Sequence, residues 1–155
     1  MARPFAHIGI LVADIEAAIE HWGAVLDVTF MPPRTVQVDR MVDASGDGPL
    51  ELTVSFSTDG KPEWELLQAT GTGVYGIQQG EGIHHVAILD EDPAARRDEL
   101  VARGAREIGC QYRPDGTVIV TYLDRSTFNE VPLEILDANT QDAIDAWVAG
   151  RDADA

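Results

Sequence analysis

The sequence has few of the residues and segments that would directly indicate a class of function. It contains one cysteine, Cys110, and one lysine, Lys61, among 155 residues. A single cysteine cannot form an internal disulfide, and we expect Cys110 to be a small core residue. No apolar run approaches the ~20 residues of a membrane-spanning helix, so we expect no membrane partner. The first residues show no charged and apolar leader, which predicts a cytoplasmic protein.

Positive charge is also scarce. The chain has 27 Asp and Glu residues against 11 Lys and Arg, for a net charge of −16. Nucleic-acid binding depends on neutralising phosphates, so we expect no nucleic-acid partner. The acidity also disfavours polyanionic ligands such as coenzyme A thioesters, unless a local pair of arginines overrides it. The hydrophobic share of 45% is that of an ordinary globular domain.

What the sequence does contain is an internal repeat. The segment HIGILVAD, which begins at His7, is echoed 78 residues later by HVAILDED, which begins at His85. A closing strand repeats as well, with WELLQA around Glu65 in the first half and LEILDA around Glu134 in the second. Each half therefore opens with a histidine and closes with a glutamate.

Hydrophobic periodicity predicts the order strand, helix and three strands in each half, which is an α+β fold of two βαβββ modules. We expect residues 1–155 to form one domain, with module one at about 5–70, a linker at about 71–82, module two at about 83–138 and a C-terminal helix at about 140–149. Asp14 and Asp92 fit helix N-caps. The offset between the repeats falls from 78 to 69. We expect the nine extra residues in a Pro- and Gly-rich loop at 32–49, after a strand at 28–31.

Strand alternation predicts that the repeated residues share one face. His7, Glu65, His85 and Glu134 each lie opposite the apolar positions on which a helix can pack, so they would meet if the two sheets curl toward each other. Two imidazoles and two carboxylates suit a divalent ion such as Co, Ni, Zn, Mn or Mg. His84 faces the other way, and we expect it to be a partly exposed strand-end residue rather than a support for the ligands. His21 fits a surface position.

These residues also carry a resemblance. The segments FAHIGI, ELL, GEGIHHVA and LEIL resemble the vicinal oxygen chelate superfamily, which includes glyoxalase I, the bleomycin resistance proteins and the dioxygenases. Residues 80–87 look especially like its methylmalonyl-CoA epimerase-like branch. The resemblance implies a curved, mainly antiparallel open barrel with a metal-centred cavity, in which the ligands match His7, Glu65, His85 and Glu134. Residues 123–131 depart from the epimerase pattern, which weakens the case for a coenzyme A substrate.

The resemblance implies a metal-dependent isomerase or epimerase that removes a proton α to a carbonyl of a small oxygenated substrate. Glu51 resembles the position of the epimerase base, and Glu65 or Glu134 could instead leave the metal and act as the base. Two alternatives remain open: a glyoxalase I-like lyase, and a resistance-type protein that sequesters a ligand without chemistry. The family tendency predicts a homodimer. Five aromatic residues could form substrate walls or ordinary packing: Phe56, Trp64, Tyr75, Tyr112 and Tyr122.

Overall fold

The computed structural model describes residues 4–150 and contains eight strands and three helices. The first half comprises β1 (Phe5–Val12), α1 (Ile15–Leu26), β2 (Arg34–Asp43), β3 (Gly46–Phe56) and β4 (Glu63–Gln68). The second half comprises β5 (Gly82–Asp90), α2 (Pro93–Ala102), β6 (Glu107–Tyr112), β7 (Val118–Leu123), β8 (Leu133–Asp137) and α3 (Ala138–Val148). Single 3₁₀ turns lie at Ile77–Gln79 and Arg125–Thr127.

The eight strands form a closed barrel in the order β1-β4-β3-β2-β6-β7-β8-β5. The predicted α+β class, curved sheet and C-terminal helix are confirmed, but the barrel is closed where an open one was expected. It closes because β1 pairs antiparallel with β5 and β2 pairs antiparallel with β6. No strand edge of the ring is then left without a partner. The boundaries of the two modules stay a prediction.

Strand alternation separates two layers of packing. From β1, Ile8, Ile10 and Val12 point outward, where α1 covers them together with Leu66. From β5, Ile88 contributes to a similar outer cluster beneath α2. The alternate positions point into the barrel, whose interior is a larger apolar cluster. Helices α1 and α2 therefore each bury the outer face of their own half and leave the inner face free to line a cavity.

The helices begin where the sequence predicts. The Asp14 side chain accepts a hydrogen bond from the backbone N–H of Ala17, and the Asp92 side chain accepts one from Ala95. Both are N-cap contacts that satisfy an otherwise unpaired backbone donor. After α2, Gly104 adopts a φ of +100°, a conformation that favours glycine and ends the helix.

The predicted loop at 32–49 is wrong. Within that range residues 34–43 form β2 and residues 46–49 begin β3, and the expected strand at 28–31 is reduced to one bridge between Phe30 and Ser57. Pro49 fits inside β3 because the register shifts beside it, at a bulge where a missing N–H costs little. The hairpin 34–56 spans 23 residues against 17 in the hairpin 107–123, so it accounts for six of the nine residues of the repeat offset.

Helix α3 lies against the barrel interior and begins at Ala138, two residues before the predicted start. Its Trp147 packs edge to face on Phe56, with ring centroids 5.8 Å apart, and the Arg34 guanidinium lies 5.6 Å from the Trp147 ring. Lys61 forms ion pairs with Asp145 of α3 and, at 2.5 Å, with the buried carboxylate of Glu63. These contacts hold α3 across one side of the cavity.

Within residues 4–150, no helix is both long enough and apolar enough to cross a membrane. The longest, α1, has 12 residues. Cys110 is buried, as predicted for a small core residue.

Replacing the only lysine should loosen α3. In Lys61→Ala the Glu63 carboxylate stays buried without its cation, so we expect a loss of about 1–3 kcal/mol in the free energy of unfolding, measured by urea denaturation. Arg40→Ala removes an exposed pair with Asp47 and should cost less than about 1 kcal/mol. Equal effects of the two substitutions would contradict a structural role for Lys61.

Candidate metal centre

Four strands bring the repeated residues to one point. β1 and β5 are neighbours and carry His7 and His85, while β4 and β8 flank them and carry Glu65 and Glu134. One ligand atom from each of these four residues lies within 4.8 Å of all the others. The sequence prediction that the two His/Glu pairs meet therefore agrees with the structure, although their role as metal ligands stays a prediction.

The atoms of this cluster are spaced as ligands of one ion would be. The two histidine Nε2 atoms are 3.0 Å apart, and each lies 3.2 to 3.4 Å from an oxygen of both glutamates. Around an ion with bonds of 2.0 to 2.2 Å, neighbouring ligand atoms lie about 2.9 to 3.5 Å apart. The donor set and its size therefore fit a divalent cation.

Burial gives the cluster its electrostatic character. All four residues are buried, and His85 is fully enclosed. Burial lowers the pKa of His7, but the charge of Glu65 and hydrogen bonds to both glutamates outweigh it and raise that pKa to about 10. Burial also opposes ionisation of Glu134, yet the charges of His85 and His7 keep the pKa of that carboxyl below its ordinary value. The cluster thus holds two carboxylates that require compensating positive charge.

His85 depends on the absence of a side chain across from it. Gly9 is its register partner on β1, and a Cβ built on Gly9 would lie 2.1 Å from Cε1 of the His85 ring. No atom can approach that closely, so glycine makes room for the ring. The equivalent position in the second half is Ala87, which shows that the two halves differ here.

His84 is where the sequence prediction of a partly exposed residue is wrong. The side chain is buried, with its Nδ1 2.8 Å from His85 Nδ1 and its Nε2 2.8 Å from the carbonyl oxygen of Val74. It is covered by Tyr75, whose ring stacks on it. Burial and the neighbouring His85 lower the His84 pKa to about 4, so the ring is neutral near pH 7. His21, in contrast, is exposed, as expected.

Two buried tyrosines form a polar chain that pattern reasoning did not identify. Gln111 donates to the Tyr75 hydroxyl, which lies 2.7 Å from the Tyr122 hydroxyl, and Tyr122 bonds in turn to Glu134. Burial raises the pKa of both tyrosines, so both stay protonated donors. No sequence motif signals this chain of hydrogen bonds, because its members come from four separated segments.

A cavity of about 480 Å³ opens beside the cluster. Its polar end carries His7, Glu65 and Glu134, and among residues 4–150 Arg34 is the only lysine or arginine that lines it. The remaining wall is mainly apolar and includes Val36, Leu52, Val54, Ile119, Ile144 and Trp147. Of the five aromatic candidates, Phe56, Tyr75 and Tyr122 line this cavity, whereas Trp64 packs under α1 and Tyr112 lies beneath Arg40.

Glu51 is not brought to the cluster. It lies on the exposed face of β3, where Gln37 donates a 2.7 Å hydrogen bond to it, while its neighbours Leu52 and Val54 point into the cavity. The polar face on which the sequence placed Glu51 is the outside of the barrel. Within the described chain, Glu65 and Glu134 are the only carboxylates that line the cavity.

Comparison with known proteins identifies a family. Residues 6–122 match the model of the Glyoxalase/Bleomycin resistance protein/Dioxygenase superfamily, which confirms the resemblance seen in the sequence. An ethylmalonyl-CoA/methylmalonyl-CoA epimerase of Cereibacter sphaeroides is 32% identical over 108 residues, which cover 66% of this chain and 72% of that protein. The match to the family model ends before Glu134.

Solved structures share the fold. A variant of Streptomyces coelicolor methylmalonyl-CoA epimerase in complex with 2-nitronate-propionyl-CoA superimposes with a TM-score of 0.60 at 20% identity, covering 88% of this chain and 94% of that one. A methylmalonyl-CoA epimerase in complex with methylmalonyl-CoA and NH4+ gives the same four values. At 20% identity this structural similarity shows the fold alone.

A side chain at Gly9 should disturb the cluster. Gly9→Ala forces the His85 ring to move, and we expect a loss of about 1–3 kcal/mol in the free energy of unfolding. Gly23→Ala, in α1, meets no atom closer than 3.6 Å and should stabilise by about 0.5–1 kcal/mol. Urea denaturation measures both. Stabilisation by Gly9→Ala would contradict the close approach.

The metal-free protein should lose stability as the pH rises from 7 to 9. The pKa of His7 rises from 6.5 in the unfolded chain to about 10 in the fold. The protonated imidazole therefore contributes its full stabilisation below pH 6.5, and this stabilisation is lost as the pH rises through 10. The expected slope is at most about 1.4 kcal/mol per pH unit, measured by urea denaturation in chelator. His7→Gln should flatten the slope. An unchanged slope in that variant would show that His7 holds no extra proton.

Proposed function

This chain belongs to the glyoxalase/bleomycin resistance protein/dioxygenase superfamily, and on that premise we propose that it is a divalent-metal-dependent epimerase or isomerase. It removes a proton α to a carbonyl group in a small substrate with two neighbouring oxygens. One observation carries the proposal: two imidazoles and two carboxylates are buried with their ligand atoms within 4.8 Å of one another, at the end of a mainly apolar cavity.

The proposed ligands are His7, Glu65, His85 and Glu134. The mixed nitrogen and oxygen set suits Co, Ni, Zn or Mn, and the absence of cysteine from these four ligands argues against a closed structural zinc site. A bound ion would act as a Lewis acid that stabilises negative charge on the chelated substrate oxygens. Two glutamates balance the charge of a divalent ion, which supports the proposal.

The residues of the chain supply the proton transfer. Glu65 and Glu134 are the carboxylates that reach the cavity, so we propose them as the acid and the base. They come from opposite halves of the barrel, which suits an epimerisation in which one group removes the proton and the other returns it to the opposite face. The Tyr122 hydroxyl supports Glu134 through its hydrogen bond.

The cavity wall directs the choice of substrate. Its apolar side chains would hold the alkyl part of a substrate and exclude water from the reacting carbon. Arg34 would meet a negatively charged group at the α3 side. Because the curated relative is an ethylmalonyl-CoA/methylmalonyl-CoA epimerase, branched carboxyacyl thioesters are the first substrates to test. A homodimer and a cytoplasmic location stay predictions.

Metal analysis tests the proposal first. We expect about one divalent ion per chain after dialysis against trace metals, and its loss in His85→Ala, because one ligand and its buried lone pair are removed. His21→Ala, at the exposed histidine, should retain the ion. Metal-free wild-type protein that still binds a carbonyl ligand would instead indicate a sequestering protein.

Deuterium uptake tests the chemistry. In ²H₂O the loaded enzyme should exchange the α-hydrogen of a chiral 2-alkylmalonyl thioester and racemise the α-carbon. Glu134→Gln should slow the exchange at least 10²-fold if Glu134 moves the proton. Conversion of a thiol adduct of an α-ketoaldehyde without exchange of malonyl thioesters would favour the glyoxalase I-like lyase. Residual metal in Glu134→Gln, measured in parallel, separates a lost base from a lost ligand.

A further inference from the structure

We propose that His84 is a positioning residue that sets the tautomer and the ring orientation of His85, so that His85 presents a bare Nε2 to the ion. The importance of that atom rests on the proposed metal function. The tautomer itself follows from a chain of hydrogen bonds that runs from the cluster through His85 and His84 to the backbone.

The backbone carbonyl of Val74, where the chain ends, determines which atoms donate and which accept its hydrogen bonds. The Val74 carbonyl oxygen can only accept, so the His84 Nε2 that lies 2.8 Å away carries the hydrogen. His84 Nδ1 lies 2.8 Å from His85 Nδ1, so one of these two nitrogens donates to the other. A His85 that gives its Nε2 lone pair to an ion carries its hydrogen on Nδ1, and this N–H donates to His84 Nδ1.

The bare nitrogen is the one that faces the cluster. His85 Nε2 lies 3.0 Å from His7 Nε2 and within 3.3 Å of both glutamates. The opposite tautomer would direct an N–H toward the ion and leave two lone pairs facing each other between His84 and His85. That arrangement loses a buried hydrogen bond and blocks a metal ligand.

The His84 ring is itself held in place. Tyr75 stacks on it at 5.6 Å with an interplanar angle of 21°, and Tyr122 packs against its edge. The Val74 carbonyl is fixed because the Val74 N–H donates to Asp43 at 2.8 Å. The segment between the two halves thus supplies the acceptor on which the whole chain ends.

A histidine in this role avoids a charge conflict. Metal-bound imidazoles usually donate their second N–H to a carboxylate, a backbone carbonyl or a water. A carboxylate at position 84 would add a third negative charge beside Glu65 and Glu134, inside a site where charges are buried. A neutral imidazole accepts the same hydrogen bond and passes it on to a carbonyl.

Long-range ¹H–¹⁵N NMR of the full-length protein with one equivalent of Zn²⁺ tests the tautomers directly. We expect His85 to be protonated at Nδ1 and His84 at Nε2. His84→Phe keeps the ring volume but removes the acceptor, so His85 should populate the other tautomer and Zn²⁺ affinity, measured by chelator competition, should fall roughly 10- to 100-fold. His84→Gln retains an acceptor and a donor and should stay within about threefold of wild type. His21→Gln is the surface control.

The outcomes separate the two proposals. Protonation of wild-type His85 at Nε2, or wild-type Zn²⁺ affinity in His84→Phe, would overturn the role of His84. The wild type could also fail to bind Zn²⁺ while showing the expected tautomers and their change in His84→Phe. That result would support His84 as the residue that orients His85, and it would overturn the metal site instead. Far-UV circular dichroism and urea midpoints identify a variant that has unfolded. If His84→Phe unfolds, the tautomers of the wild type and the Zn²⁺ affinity of His84→Gln test the role of His84.

Discussion

Two carboxylates buried beside each other must be compensated, and the rest of the structure is arranged around that constraint. Glu65 and Glu134 lie among apolar walls, where an isolated charge costs several kcal/mol. Positive charge can come from a proton on His7 or from a divalent ion held by all four residues. The same groups therefore serve two charge states of the site. The hydrogen bonds of Tyr122 and His84 support the ligands in both.

The barrel makes this concentration of charge possible. Each half packs a helix on the outer face of its strands, so the inner face is free to carry polar groups. The two halves meet where β1 pairs with β5 and where β2 pairs with β6, and these pairings bring the inner faces together. His7 and His85 lie on the paired strands β1 and β5, where the missing side chain of Gly9 lets the rings meet. Helix α3 then limits access from the side.

Much of this could be predicted from the sequence, because strand alternation and an internal repeat are local signals. They placed His7, Glu65, His85 and Glu134 on one face and located the helix caps at Asp14 and Asp92. The failures concern tertiary contacts. Glu51 lies on the polar face of its strand, but only the curvature of the barrel decides that this face is the outside. His84 alternates away from the cluster and is buried because residues 73–75 fold over it. The hairpin at 32–49 was hidden by turn-forming residues that a bulge accommodates.

The duplicated architecture has a stereochemical consequence. Around the ring of strands each strand of one half has a counterpart in the other, so that β1 and β5 carry His7 and His85, and β4 and β8 carry Glu65 and Glu134. If a planar enolate lies between the two halves, its two prochiral faces meet equivalent carboxylates. The equilibrium constant fixes the ratio of catalytic efficiencies in the two directions, but equivalent surroundings make kcat and KM each nearly equal for the two hands. Departures from symmetry, such as Gly9 in one half and Ala87 at the equivalent position of the other, are the places where one hand would bind more tightly and turn over more slowly.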